Sequence, residues 1–280
     1  MHDAKRSSSA QAVALARAHL TWTGVLDDHL AESMLRPKLA LAARVLRRRP
    51  FRLLCRTPTF AFLGARTRFF DDAVREAIDV GVEQVVTIGA GYDSRAWRFQ
   101  RPEVRYFEVD HPATQRDKRQ RAPKGGPCYV PADLNVDSLA EVLSAGGFTA
   151  GVPALFVVEG VTMYLTEPVI MRLLSDLAEL GGPGSRLAVN FTAIPGTAAP
   201  TSTVATRVIR AMWRFRGEPM HRWARLDELP ALLARMGWRA HDVVPGPELA
   251  RRYLVGTGLP TALGPTAVVL AATRRGAFGP

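Results

Sequence analysis

Short apolar runs alternate with amphipathic stretches from about residue 84 to the end of the chain. The apolar runs predict strands buried on both faces, and the stretches between them have the 3.6-residue spacing of helices. The predicted strands are 84–88, 105–109, 128–131, 154–158, 186–190, 239–243 and 267–271, and the clearest predicted helices are 71–80, 137–145, 167–180 and 227–236. This alternation predicts an α/β fold: a Rossmann-like, seven-stranded, mostly parallel sheet with helices on both faces.

Residues suited to helix ends lie at the borders of the predicted helices. Asp137 and Asp227 stand where an N-cap side chain would accept a bond from a free backbone N–H. Glycines follow the expected last turns, where a helix commonly stops; they are Gly81, Gly146, Gly181 and Gly237. The agreement between periodicity and helix-end chemistry supports the α/β prediction.

Two segments lie outside the alternation. Residues 1–70 are predicted to form an all-helical N-terminal extension or cap. Residues 191–225 lie between the fifth and sixth predicted strands, with a Pro/Thr/Ala-rich loop and a basic aromatic helix. An insertion after the carboxyl end of a strand is a natural lid over a ligand site. We therefore expect a single domain over 1–280, with its core at 71–190 and 226–275.

The composition narrows the class of protein. Of the 280 residues, 47% are hydrophobic, which is ordinary for a globular protein. No uncharged apolar run approaches the ~18 residues of a membrane span, so no membrane partner is expected. Cys55 and Cys128 are the only cysteines, too few for a disulfide framework or a Cys-rich zinc site. A cytoplasmic protein without a bound metal is the expectation.

The formal net charge of +11 raises the question of a nucleic-acid partner. Basic residues cluster at 44–56 and 115–124. Neither cluster has the interleaved aromatic residues on which single-stranded bases stack. The charge therefore favours a solvated basic surface that attracts anionic small molecules, with nucleic acid as the weaker alternative.

The stretch QVVTIGAGYDSRAWRF, residues 84–99, carries the clearest ligand signal. Gly89-Ala90-Gly91 follows the first strand and lets backbone approach a ligand closely. A dinucleotide turn would need a third glycine where Ser94 stands, and a carboxylate at Asp93 would repel a pyrophosphate. The turn thus favours a nucleotide without phosphates.

Carboxylates follow the next two strands. Asp110 lies nineteen residues after Gly91 (110 minus 91) at the end of the second strand, where an acid bonds the hydroxyls of a ribose. Glu108 shares its strand face by the period of two. After the third strand, Asp133 is placed to accept from an adenine amino group while Leu134 packs on the ring, although Asp133 could equally cap the next helix. Together these residues describe adenosine with a cationic or zwitterionic tail, which is S-adenosylmethionine.

The same segments resemble the leucine carboxyl methyltransferase family, including its bacterial branch and the tetracenomycin-type polyketide carboxyl O-methyltransferases. The phrases E-V-D-H-P (108–112) and E-G-V-T-M-Y-L (159–165), in this order, are specific to that family. Matching segments cover most of the chain and lie at 65–74, 84–99, 106–119, 130–135, 153–165, 181–191 and 217–219. The resemblance implies a class I S-adenosylmethionine-dependent O-methyltransferase. Departures are mild at Tyr92, Ser94 and Trp97, whereas the lid and the N-terminal helices, which hold the substrate in this family, match poorly.

Roles for individual residues follow from the resemblance. Arg66 would reach the carboxylate of the cofactor, Gly89 and Gly91 would contact its methionyl part, and Glu159 would face its amino group. Asp110 would bind the ribose. Asp133 and Leu134 would bind the adenine end.

The chemistry of the acceptor decides whether a base is needed. A carboxylate, with a pKa near ~4, is already ionised, so in-line methyl transfer needs alignment and desolvation only. A phenol, with a pKa near ~10, would benefit from a base, for which His221 is the candidate, with Tyr164 as a second candidate for a catalytic role. Arg214 and Arg222 are candidates for binding an anionic substrate.

We expect a methyl ester on a small acidic or aromatic metabolite, such as a polyketide. The alternatives are a hydroxyl O-methyltransferase, a nucleic-acid methyltransferase and a non-catalytic cofactor-binding module. The chain has EGVT after the fourth strand where base amino-methyltransferases carry an N/D-P-P-Y/F loop, and its intact cofactor motifs argue against a decayed site.

Overall fold

The computed structural model describes residues 8–48, 55–193, 225–265 and 267–274. Seven strands form one sheet in the order β3-β2-β1-β4-β5-β7-β6. The strands are β1 Gln84–Ile88, β2 Arg105–Asp110, β3 Cys128–Pro131, β4 Ala154–Val158, β5 Arg186–Thr192, β6 Trp238–Pro245 and β7 Ala267–Arg274. Strands β1 to β5 pair in parallel, and β7 runs antiparallel to β5 and β6. The predicted α/β sheet of mostly parallel strands is confirmed.

Predicted and observed bounds coincide for β1, β3 and β4, whereas β2 and β5 end one and two residues later than predicted. β1 and β4 lie at the centre of the sheet, and every residue in them is buried. β6 and β7 extend beyond their predicted ranges. β6 lies at the edge, so exposed residues such as Arg239 alternate with buried ones and conceal the ends of the apolar run.

The helices are α1 Ser8–Trp22, α2 Pro37–Leu46, α3 Pro58–Asp79, α4 Arg95–Arg98, α5 Pro112–Arg119, α6 Leu139–Ala145, α7 Glu167–Leu180, α8 Leu229–Arg235 and α9 Gly246–Tyr253, with a 3₁₀ turn at Thr162–Tyr164. The helix predicted at 71–80 is the second half of α3, which starts thirteen residues earlier (71 minus 58). Thr57 caps α3 by accepting from the Phe60 amide. The boundary expected at residue 70 therefore falls inside one continuous helix.

Both predicted N-caps are wrong. The N-cap of α6 is Ser138, whose hydroxyl accepts from the Glu141 amide, while Asp137 accepts from the Asp133 amide one turn earlier. The N-cap position of α8 is held by Glu228 rather than Asp227, without a side-chain bond. The sequence predicts where each helix begins to within one residue. It does not identify the N-cap residue, because neighbouring polar residues can occupy that position equally well.

Apolar side chains pack on both faces of the sheet. One cluster joins β1, β2 and β4 to α6, α7 and α8 through residues such as Phe156 and Trp238. The opposite cluster packs α3 and α9 against residues such as Val85 and Leu155. A smaller cluster joins α1 and α2 to Tyr92 in the turn after β1. The first three helices are thus packed onto the core.

No helix in the described ranges is long and apolar enough to cross a bilayer. Residues 194–224 lie outside the described ranges, and they contain nearly all of the segment predicted to be a lid.

Candidate functional site

A cavity of about 360 Å³ opens beyond the carboxyl ends of β1, β2 and β4. Strand order reverses between β1 and β4, which is where ligands bind in open α/β sheets. The cavity is lined by seven of the residues singled out from the sequence, namely Arg66, Gly89, Ala90, Gly91, Asp110, Glu159 and Tyr164. Residues of α1 form the opposite wall.

The glycine turn forms a tight cradle. Gly89 and Gly91 have φ values of 63° and 53°, in the left-handed region that favours glycine. A Cβ atom on Gly89 would lie 2.1 Å from Cγ2 of Val161, and one on Gly91 would lie 3.1 Å from Cβ of Ala10. Side chains are therefore excluded at Gly89 and Gly91, and the backbone of the turn faces the cavity.

Asp110 is fixed at the edge of this cradle. Its Oδ2 accepts from the Gly91 amide at 2.5 Å and its Oδ1 accepts from the His111 amide at 2.6 Å. Burial raises the pKa of Asp110 more than these two backbone donors lower it. Each carboxylate oxygen retains a lone pair, so the group can still accept hydrogen bonds from ligand hydroxyls. His111 itself caps α5, where its Nδ1 accepts from the Ala113 amide.

Arg66 and Glu159 meet each other across the cavity wall. Arg66 Nε lies 2.9 Å from Glu159 Oε1, and Arg95 Nη1 lies 2.8 Å from Glu159 Oε2. Burial would raise the pKa of Glu159, but Arg95, Arg66 and Arg17 outweigh it and the pKa is lowered. Glu159 is therefore ionised, with an arginine on each oxygen.

Asp133 and Leu134 do not line the cavity. The Asp133 carboxylate accepts from the backbone and side-chain nitrogens of Asn135 at 3.0 and 2.8 Å, and Leu134 packs partly buried against the core. The loop is nevertheless next to the site, because the Ala132 amide donates to the carbonyl of Asp110 at 3.0 Å. The structure thus shows a local turn at Asp133 close to the candidate ribose acid.

Arg17 is a cavity residue that sequence reasoning missed. It comes from α1, is 5% exposed and lines the cavity. Its Nη2 lies 2.5 Å from Asp28 Oδ2 and 2.9 Å from the Ser94 hydroxyl, which in turn donates to Asp28 Oδ1. The sequence shows only an arginine within an alanine-rich predicted helix. It does not show that this helix, α1, packs over the glycine turn.

The negative charge of Asp93 is paired with the positive charge of Arg95. Arg95 bonds it through both its amide, at 2.7 Å, and Nη1, at 2.5 Å. Burial would raise the pKa of Asp93, but Arg95 and Arg17 hold it well below its usual range. The repulsion expected for a pyrophosphate is therefore weaker than the sequence suggested. Ser94, which is fully buried where a dinucleotide-binding turn has its third glycine, is stronger evidence against dinucleotide binding than Asp93 is.

The segment after β4 is held by a residue that carried no sequence signal. Asn190 in β5 accepts from the Gly160 amide through its side chain at 2.6 Å and from the Thr162 hydroxyl through its carbonyl at 2.7 Å. These bonds fix the turn that carries Glu159 and Tyr164. The remaining candidates, His221, Arg214 and Arg222, lie outside the described residues.

Residues 9–178 match the model of the leucine carboxyl methyltransferase family. A relative from Parafrankia sp., named as an S-adenosyl-L-methionine-dependent methyltransferase, is 45% identical over 136 residues, which are 46% of this chain and 44% of that protein. A relative from Mycobacterium bovis with the same designation is 34% identical over 213 residues, 67% of this chain and 68% of its own length. The alignment thus spans less than half of the first relative and about two thirds of the second.

Solved structures show the same fold at low sequence identity. A methyltransferase structure from Thermobifida fusca superposes with a TM-score of 0.55 at 16% identity, over 93% of this chain and 94% of the other. An S-adenosylmethionine-dependent methyltransferase from Mesorhizobium loti superposes with a TM-score of 0.50 at 17% identity, over 72% and 96% of the two chains. With a glycine cradle and strand-end acid at the switch point and a family match across most of the described core, this chain belongs to the leucine carboxyl methyltransferase family of S-adenosyl-L-methionine-dependent methyltransferases.

Proposed function

We propose that the protein transfers a methyl group from S-adenosylmethionine to a carboxylate of a small acidic or aromatic metabolite, forming a methyl ester. The observation that carries the proposal is the composition of the cavity wall. Charged residues such as Arg66 and Asp110 share the cavity with apolar residues such as Val161 and Met163, and its described lining residues include no histidine. Such a wall can bind and align reactants, and its carboxylates Asp93, Asp110 and Glu159 are already held by arginines or backbone amides.

The lining residues fit the cofactor. Backbone at Gly89 and Gly91 would lie against the methionyl part, where no side chain has room. Asp110 would accept from the ribose hydroxyls, and the planar guanidinium of Arg66 would bind the carboxylate. Glu159 would attract the ammonium. Asp133 and Leu134 would reach the adenine end, given the bond that ties their loop to Asp110.

S-adenosylmethionine supplies an electrophilic methyl group on a sulfonium. The acceptor carboxylate is ionised at neutral pH, so the chain does not need to remove a proton. Its residues must align the two reactants in line and exclude water from the carboxylate. Val13, Val161 and Met163 give the cavity the apolar wall that desolvation requires.

The first test is titration calorimetry with S-adenosylmethionine and S-adenosylhomocysteine. We expect saturable binding by the wild type and its loss in Asp110→Ala, since the variant lacks the acceptor at the cradle. Asp79→Ala removes an exposed carboxylate at the end of α3 and is the matched control. A folded wild type that binds neither ligand, or equal affinities in the two variants, would contradict the proposed site.

A product assay then separates ester from ether formation. The enzyme is incubated with methyl-labelled cofactor and a panel of aromatic and polyketide carboxylic acids and phenols. We expect label that is released as methanol in mild base, as an ester requires, and equal rates in the wild type and His221→Gln. Base-stable label whose formation is lost in His221→Gln would instead establish a hydroxyl O-methyltransferase with a histidine base.

A further inference from the structure

A fully buried ion pair lies directly behind the candidate ribose acid. Lys118 Nζ of α5 lies 2.6 Å from Glu108 Oε2 of β2, with side-chain exposures of 1% and 3%. Glu108 precedes Asp110 by two residues on the same strand face. Lys118 also lies over the ring of Trp97, with its Nζ 5.4 Å from the ring centroid. Neither member of the pair lines the cavity.

The pair closes a short loop around the site. The chain passes from Glu108 through Asp110 and His111 into α5, and Lys118 in that helix returns to Glu108. Gln115 of the same helix donates to the carbonyls of Glu108 at 2.7 Å and of Val130 at 3.1 Å. Two side chains of α5 thus bond back to Glu108, two residues before Asp110, and Gln115 also reaches β3.

We propose that the Glu108–Lys118 ion pair is a positioning device for the cofactor, which fastens α5 to β2 and thereby holds Asp110 and the His111 amide in place. The inference rests on the proposed role of Asp110 in binding ribose. A buried pair is strongly disrupted when one partner loses its charge. The remaining lysine charge would then have no counter-ion in the apolar space beside Trp97, and α5 would shift.

The surroundings of Glu108 make this fastening sensitive to pH. The titratable groups that face it are Lys118 of α5, Asp93 of the turn after β1, Asp110 of its own strand and Tyr129 of β3. Burial raises the pKa of Glu108 to about 7, against the opposing effect of Lys118. Because the folded-state pKa lies above the ordinary value, the glutamate takes up a proton as pH falls through 7, and the pair breaks in that range.

The test measures S-adenosylhomocysteine affinity by calorimetry between pH 6 and pH 8.5. In the wild type we expect affinity to fall as pH falls through 7. Glu108→Gln should bind about tenfold to a hundredfold more weakly at pH 8, because a displacement of about 1 Å at a site can have effects of that size, and its profile should be flat. Glu103→Gln removes an exposed carboxylate just before β2 and is the matched control; we expect it to keep the wild-type profile.

Two further variants keep the result decisive. Glu108→Leu with Lys118→Met replaces the pair by apolar groups, which folded proteins commonly tolerate; we expect it to fold and to lose the inflection near pH 7. His111→Asn keeps an N-cap acceptor but cannot titrate, and we expect it to retain the inflection.

Wild-type affinity in Glu108→Gln at pH 8, an inflection that survives in Glu108→Gln or in the double variant, or an inflection that disappears in His111→Asn would overturn the inference alone. A wild type that binds no S-adenosylhomocysteine at any pH would overturn the proposed site and this inference together.

Discussion

Buried charges around the glycine turn are paired residue by residue. The arginines Arg17, Arg66, Arg95 and Arg98 contact the carboxylates of Asp28, Asp71, Asp93 and Glu159. Four positive charges face four negative charges, so this described network is neutral. A buried charge is tolerated only when it is paired in this way. The network therefore leaves no net charge in this part of the cavity wall.

Asp71 should be among the most stability-sensitive carboxylates of this network. It lies 2.7 Å from Arg95 Nε and 2.8 Å from Arg98 Nη1, and it is 4% exposed. Asp71→Asn should lower the free energy of unfolding, measured in urea, by about 3–5 kcal/mol, because two buried arginines lose their counter-charge. Asp72→Asn, next in the chain, removes the charge of a half-exposed pair with Arg75 and keeps an amide oxygen that can accept from the Tyr253 hydroxyl. It should change the same quantity by less than about 1 kcal/mol.

The loss of stability caused by Asp71→Asn should depend on pH. Burial would raise the pKa of Asp71, but Arg95 and Arg98 lower it below its ordinary value. Its contribution to stability is thus fully present above about pH 4 and is lost as pH falls through the lowered folded-state pKa. The stability gap between the wild type and Asp71→Asn should narrow in acid. A gap that is small at pH 7, or that does not depend on pH, would contradict this account.

At the scale of elements, α1 is part of the site rather than an accessory to it. Its residues Ser9, Ala10, Val13, Ala14 and Arg17 line the cavity at the three- and four-residue spacing of one helix face. Small residues on this face allow α1 to approach the turn, since Ala10 lies almost in contact with the position of a Cβ on Gly91. The helix closes the cavity opposite the sheet.

Enlarging this face should therefore obstruct the ligand. Ala14 is 1% exposed and lines the cavity, whereas Ala12 lies on the exposed face of the same helix. Ala14→Leu should weaken S-adenosylhomocysteine binding by about fivefold or more, because the larger side chain enters the cavity and overpacking costs about 1–3 kcal/mol. Ala12→Leu should bind as the wild type does, since leucine is nearly as good a helix former as alanine. Equal calorimetric affinities in the two variants would place α1 outside the binding site.

At the scale of the whole molecule, strand order decides where a ligand binds, and the turn decides which ligand. The order β3-β2-β1-β4 opens a crevice beside β1, and the turn that faces it has Ser94 where a dinucleotide turn has glycine. The net charge of +11 is not concentrated in the described site, whose arginines are matched by carboxylates. The overall charge thus describes the surface rather than the chemistry of the cavity.

Thermal unfolding should distinguish the two kinds of nucleotide. S-adenosylhomocysteine at a hundred times its Kd should add about 2.7 kcal/mol to the free energy of unfolding. At about 2–4 °C per kcal/mol, Tm should rise by about 5–10 °C. NAD at the same concentration should leave Tm unchanged, because the turn lacks the third glycine. An equal rise with both ligands would show that the site accepts a pyrophosphate.

The sequence by itself determined the features that depend on local order. Buried central strands such as β1 and β4 were predicted to the residue, because burial on both faces leaves an unbroken apolar run. The glycine turn and Asp110 were identified because strand, turn and strand end follow each other at short range. Asp110 indeed meets the Gly91 amide.

Only the tertiary structure decided how distant segments meet. Arg66 and Glu159 are 93 residues apart, and Arg17 and Ser94 are 77 apart, so no local periodicity could reveal that they pair. The same holds for three other features that local sequence does not predict: the antiparallel direction of β7, the placement of α1 over the turn and the local turn at Asp133. Side-chain pairing across a core depends on which faces pack together, and that choice is made by the fold as a whole rather than by any one segment.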